Sequence, residues 1–184
     1  GIVDRLKAFL DMGARQVQAQ VMSADADGMR RDAEALLQPF AAGQLVVKIP
    51  ATRAGFAAGA ALAADGVPVT YTAVYAVEQA HLAAQLGAAY AAPYLGRLQD
   101  AGHDGLALIA RMQARVAAQN ATRAGAPTRL LPASVRSPEA LRALLELDVA
   151  AITIPPKLFA PLMDQAATAD AEAAFLADAA ALGD

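Results

Sequence analysis

The chain has no cysteine and no tryptophan, only two histidines, and three lysines among its 184 residues. Without cysteine there is no disulfide scaffold, no thiolate zinc site and no thiol nucleophile, and cytoplasmic residence is the expectation. His81 and His103 stand apart from any pair of carboxylates, so a metal site is not expected. No apolar stretch nears the roughly 20 residues of a membrane-spanning helix. The opening GIVDRLKAFLD does not read as a secretory leader. No Ser/Gly/Pro linker and no block of like charge divides the chain. With 15 basic and 18 acidic side chains and no basic stripe, it lacks the electrostatic footprint of a nucleic-acid binder.

What is present is a hydrophobic chain, 57% apolar, of a length that suits one domain with a sizeable core. Alanine occupies 51 positions, far above ordinary usage. The cations are lopsided: 12 arginines stand against Lys7, Lys48 and Lys157. A chain that takes arginine wherever a cation will serve makes a lysine in an unusual place informative.

Short apolar runs alternate with helical patterns. The runs predict six strands, at 16–21, 45–49, 68–72, 89–93, 129–133 and 150–154. Between them, apolar residues recur at helical spacing: Met29, Ala33, Leu36, Leu37 and Phe40; Leu108, Ile109, Met112 and Val116; Leu141, Leu144 and Leu145. Thr52 suits a helix N-cap with Gly66 after that helix's end, and Ser137-Pro138 reads as an N-cap followed by proline at the first helical position. Apolar strands joined by helices predict a parallel sheet covered by helices. A doubly wound sheet would carry a glycine-rich phosphate turn after its first strand, and Met22-Ser23-Ala24-Asp25 is not one. A (β/α)8 TIM barrel is therefore the expectation, with six strands two short of closure.

In such a barrel, reactive groups sit at the C-terminal ends of strands and in the loops that follow. Those positions hold Gln20, Lys48, Thr72, Tyr94, Arg97, Ser134 and Arg136. Lys48 interrupts Leu45-Val46-Val47-Lys48-Ile49, which otherwise reads as a buried strand. Burying an ammonium is costly, and a lysine so placed is expected to serve as a free amine able to form a Schiff base, which arginine cannot do. The alternative is a strand-end lysine whose amine snorkels to solvent. Gln20, Thr72 and Tyr94 either hold one water among three polar groups or are ordinary strand-end caps. Arg97, Ser134 and Arg136 either bind a phosphate monoester or are solvated surface groups.

Five short motifs occur in order: Gln18-Ala19-Gln20-Val21-Met22, Val46-Val47-Lys48-Ile49-Pro50, Thr72-Ala73-Val74-Tyr75, Ala92-Pro93-Tyr94 with Arg97, and Ala133-Ser134-Val135-Arg136. Together they resemble the transaldolase family, and within it the small bacterial fructose-6-phosphate aldolase branch. The resemblance implies a class I, Schiff-base (β/α)8 aldolase that needs no cofactor and whose imine lysine matches Lys48. It implies that Gln20, Thr72 and Tyr94 hold a proton-relaying water, and that Arg97, Ser134 and Arg136 bind the acceptor's phosphate. Transaldolases proper usually carry Glu in place of Gln20 and Phe in place of Tyr94, so this pair points to the aldolase branch. It further implies sugar-phosphate substrates and a homo-oligomer, pentamer or decamer. The chain departs from the branch at Gly96, Gln99 and Val135. Its opening resembles the helix after the family's second strand, so the expectation is a single barrel domain, 1–184, lacking the first two strands. The stretch 166–184 is expected to be a helix that packs on this barrel or on a neighbouring subunit.

Overall fold

The computed structural model describes residues 1–182. Five strands, β1 (Val17–Gln20), β2 (Leu45–Pro50), β3 (Val69–Val74), β4 (Tyr90–Pro93) and β5 (Arg129–Leu130), pair in parallel in the order β1-β2-β3-β4-β5. Each strand thus lies beside its sequence neighbour. This is the singly wound connectivity of a barrel wall, and no strand order reverses as a doubly wound sheet requires. Among the described residues β1 and β5 are the edges of the sheet. The helices are α1 (Ile2–Asp11), α2 (Ala26–Leu37), α3 (Arg53–Ala64), α4 (Val77–Gln85), α5 (Leu95–Asp100), α6 (Gly105–Ala121), α7 (Pro138–Glu146), α8 (Pro156–Phe159) and α9 (Ala166–Leu182). None among the described residues is long and apolar enough to cross a membrane.

Alternation along the strands separates two faces. Val47, Ile49, Val69, Tyr71, Val74 and Ala91 turn toward the helices and join one apolar core with Met29, Ala58, Leu62, Ile109 and Met112. The intervening residues, among them Gln18, Gln20, Lys48, Thr70, Thr72 and Tyr94, face the opposite, concave side. Small residues bring the helix layer close. Ala80, Ala83 and Ala84 are fully buried in α4, which packs on α6 and β4. A Cβ on Gly55 would overlap the Pro50 carbonyl oxygen, and one on Gly59 would overlap the Tyr71 hydroxyl. The Tyr71 ring is sealed between β3 and α3, its hydroxyl reaching the Phe56 carbonyl at 3.3 Å, and burial pushes its phenol pKa well above the usual value.

The capping expectations hold. Thr52 Oγ1 accepts from Gly55 N at 3.0 Å, Ser137 Oγ accepts from Ala140 N at 3.2 Å, and Gly66 closes α3 with φ +77°. Two expectations need correction. Leu145 does not share the buried face of Leu141 and Leu144; it is 59% exposed. The sixth strand, 150–154, does not form. Its link to the sheet is the bond from Thr153 N to the Pro132 carbonyl at 2.9 Å. The neighbouring segment carries the ladder to β4 through Arg129 N, Leu131 N and Ala133 N. On its other side Pro132 has no N–H to donate, which interrupts a sixth ladder where it would begin.

The close contact between β2 and α3 generates a prediction. Gly55→Ala should destabilise the fold by about 1–3 kcal/mol, because a backbone oxygen cannot rotate away, and lower Tm by about 2–4 °C per kcal/mol. Thermal unfolding by circular dichroism checks it; an unchanged Tm contradicts the packing described.

Candidate active site

The strands deliver their polar residues to one end of the concave face. Lys48 is half-buried in a strand whose Leu45, Val46, Val47 and Ile49 are fully buried. Because Val47 and Ile49 are committed to the helix layer, the pleat turns Lys48 to the concave side. There its register neighbours are Gln20 on β1 and Thr70 on β3. Two residues further along β3, Thr72 is 2% exposed, and its Oγ1 shares a 2.6 Å hydrogen bond with the Tyr94 hydroxyl. Either oxygen can be the donor, so the pair can pass a proton as well as hold one.

Three contacts hold the Tyr94 ring: the bond to Thr72, the Arg97 guanidinium 5.1 Å from the ring centroid, and Tyr75 edge-on at 5.9 Å. Tyr75 reaches that position because the register slips at Ala73, a non-glycine residue at φ 55°. Gln79 on α4 then clasps the loop. Its Oε1 accepts from Tyr75 N and Ala76 N, while its Nε2 donates to the Ala51 carbonyl. Ser134, just past β5, also adopts positive φ, at 58°. Such backbone costs on the order of 1–3 kcal/mol and gathers at functional sites. Two of the three non-glycine residues with positive φ among those described therefore sit at this end of the sheet.

Ser134 and Arg136 meet at Gly96. A Cβ there would lie 2.6 Å from Arg136 Nε, 2.6 Å from the Ser134 carbonyl oxygen and 2.8 Å from Ser134 Oγ, so the approach requires glycine. Arg136 is not a free cation: its Nη1 and Nη2 both donate to Asp100, each at 2.7 Å. The hydrogen bonds and charge of Arg136 hold the Asp100 carboxyl below the usual carboxylate range. Arg97 is exposed and over the tyrosine face.

The structure thus brings Lys48 beside Gln20, joins Thr72, Tyr94 and Arg97, and sets Ser134 and Arg136 against Gly96. No hydrogen bond among the described residues ties Gln20 to the Thr72–Tyr94 pair. Gln20 instead lines a cavity of about 560 Å³ along β1, with Gln18, Met22 and Leu36. Asp32 pins the loop after Gln20, accepting from Ser23 N at 2.7 Å and Met22 N at 2.9 Å, donors that hold its carboxyl below the usual range. Among the described residues no group of three or more His, Asp or Glu converges as a metal site would. Gln79 and Asp100 escaped the sequence reading. Gln79 occupies the third helical position, where a glutamine can reach back to the N-cap, but Ala76 at the cap hides that signature. Nothing in the spacing marks Asp100.

The family described as Transaldolase/Fructose-6-phosphate aldolase matches residues 2–183. A protein named probable transaldolase from Exiguobacterium sibiricum is 37% identical over 177 residues, covering 95% of this chain and 78% of its own length. Another of that name, from Methanococcus maripaludis, is 35% identical over 162 residues, covering 88% and 72%. Among solved structures, the FimX EAL domain of Xanthomonas citri, in complex with c-diGMP, superposes with a TM-score of 0.56 at 12% identity, over 82% of this chain and 62% of that one. That likeness is one of fold alone.

The Asp100–Arg136 pair generates a prediction. Asp100→Asn should free one terminal nitrogen of Arg136, remove the compensating charge and strengthen binding of inorganic phosphate at this rim, read by calorimetry. Asp100's pKa is lower folded than unfolded, so the pair's contribution is present at neutral pH and lost as pH falls through the lowered value. Unchanged phosphate affinity in Asp100→Asn would show that Arg136 is not restrained by this carboxylate.

Proposed function

The chain belongs to the transaldolase/fructose-6-phosphate aldolase family, and from that membership we propose that it is a class I aldolase interconverting fructose 6-phosphate with dihydroxyacetone and glyceraldehyde 3-phosphate. The observation that carries the reading is Lys48, the one lysine carried by a strand, set on the concave face among strands whose ends carry the Thr72–Tyr94 hydroxyl pair.

In this mechanism the free amine of Lys48 attacks C2 of the ketose, and loss of water leaves an iminium. The iminium draws in the electron pair of the C3–C4 bond. A water held near Gln20, Thr72 and Tyr94 takes the C4 hydroxyl proton as the bond breaks, and the aldehyde leaves. The enamine regains a proton at C3, and water hydrolyses the iminium to release the ketone. The phosphate lies at the rim with Arg97 and Ser134, where Arg136 Nε adds a donor beside Gly96. Positioning of this kind can supply several kcal/mol of barrier reduction.

The second reading, transfer of the dihydroxyacetone unit to another aldose, is favoured by the name probable transaldolase that the relatives carry. Tyr94 and Gln20 favour release, because a hydroxyl held by Thr72 and a neutral amide can place the hydrolytic water. Cytoplasmic residence and a homo-oligomer, pentamer or decamer, belong to the same reading. Helix α9 supports assembly: Phe175 and Leu176 are 71% and 66% exposed, an apolar surface that a neighbouring subunit would cover. The last two residues of the expected 166–184 helix lie outside the described residues.

Borohydride reduction in the presence of dihydroxyacetone should leave a mass adduct on Lys48, absent in Lys48→Ala; no adduct on the parent overturns the reading. With fructose 6-phosphate alone, free dihydroxyacetone should accumulate, whereas a transaldolase would need erythrose 4-phosphate to turn over. Tyr94→Phe should lower kcat by roughly 10²–10⁴-fold, the ordinary range for losing a positioned proton-transfer group.

A further inference from the structure

The concave face carries a polar contact that none of these steps uses. Thr70 is fully buried, and its Oγ1 donates to Gln18 Oε1 at 3.0 Å. Strands β1 and β3 are not neighbours, since β2 lies between them. In the register, Gln18 stands opposite Val46 and Thr70 opposite Lys48. The bond therefore crosses the concave side of β2 between Val46 and Lys48. Val46 is 0% exposed yet belongs to neither apolar cluster, as expected of a residue roofed by this strap. Barrel interiors are ordinarily filled by branched apolar side chains. Here a polar floor lies immediately on the N-terminal side of the amine-bearing residue.

The amide of Gln18 is half spent. Thr70 occupies Oε1, which orients the side chain, while no acceptor among the described residues takes the two hydrogens of Nε2. Gln18 is half-buried and borders the cavity along β1 together with Gln20. A ketone joined to Lys48 has two arms. The arm that reacts must extend toward Tyr94 and Arg97 at the strand ends. The other arm must then point back toward the floor, where Gln18 presents an unused donor.

We propose that Gln18 Nε2 donates a hydrogen bond to the hydroxyl on the non-reacting arm of the ketone, and that Thr70 holds the amide for that task. Gln18 is thus a specificity residue selecting 1-hydroxy ketones over ketones with a bare methyl on that arm, and Thr70 is a positioning residue. The inference rests on the reading of Lys48 as the imine-forming residue.

The test uses dihydroxyacetone and hydroxyacetone, which differ by that one hydroxyl when both react at a hydroxymethyl carbon, with glyceraldehyde 3-phosphate as acceptor. The readout is the ratio of their kcat/KM values. Gln18→Leu should lower the preference for dihydroxyacetone by about 10- to 100-fold, the ordinary discrimination for one lost substrate hydrogen bond. Gln18→Glu, which still accepts from Thr70 but cannot donate, should lower it likewise. Thr70→Val should shift the ratio in the same direction, and Thr70→Ser should restore it. A purely structural role would slow both ketones alike and leave the ratio unmoved, which would overturn the proposal. If the glutamine variants unfold, the Thr70 pair decides by the same ratio. Borohydride trapping on the parent separates the two levels. No adduct with either ketone removes the Lys48 reading and this inference with it, whereas an adduct with an unmoved ratio removes only the inference.

Discussion

The unbroken parallel register of β1 with β2 and of β2 with β3 is the constraint on which the rest depends. Side chains alternate along a strand, so a slip of one residue in β2 would send Lys48 into the helix layer and Val47 onto the concave face. What prevents the slip is the helix-facing set, Val47 and Ile49 on β2 with Val69 and Tyr71 on β3, each within 1% of complete burial. Burying side chains of this size contributes about 1.5–3 kcal/mol each, so exchanging the two faces of β2 alone would forfeit several kcal/mol. The polar residues of the concave side are held in place by apolar residues on the opposite face of the same strands.

The alanine-rich composition acquires a meaning in this architecture. In α4, which packs on α6 and on β4, the buried positions are Ala80, Ala83 and Ala84 rather than leucines. Where α3 crosses β2 and β3, Gly55 and Gly59 remove even the Cβ. Close approach accompanies short turns at the strand ends, two residues between β2 and α3 and two between β3 and α4. Gln79 is one product of that approach: it joins the loop after β3 to the turn after β2 through three hydrogen bonds.

At the rim, two arginines that look alike in the chain differ physically. Arg97 lies exposed against the Tyr94 face, and no hydrogen bond or ion pair among the described residues engages its guanidinium. Arg136 is held by Asp100 through both terminal nitrogens, so its charge is compensated and Nε is the group left beside Ser134 and Gly96. An anion arriving at this rim would meet one open guanidinium and one that a carboxylate already orients. The exposed pair itself adds little to stability; its effect is on geometry.

Period, punctuation and composition made much of the scaffold legible in the chain. The five strands, the capping by Thr52 and Ser137, and the apolar faces of α2 and α6 follow from local rules, because alternation and helical spacing are local properties. The oddness of Lys48 was visible for the same reason: one polar residue interrupts an apolar run. The failures were non-local. Whether 150–154 becomes a strand depends on the edge it must join, and Pro132 carries no donor on that edge. Leu145 reads as core until α7 is set against the sheet. The partnership of Asp100 with Arg136, the strap from Gln18 to Thr70 across β2, and the Thr72–Tyr94 bond join residues 36, 52 and 22 positions apart. No spacing rule operates over such separations. The chain by itself determined which residues could lie on one face; packing decided which of them meet, because hydrogen-bond distance is reached only when separate strands are brought into a common register.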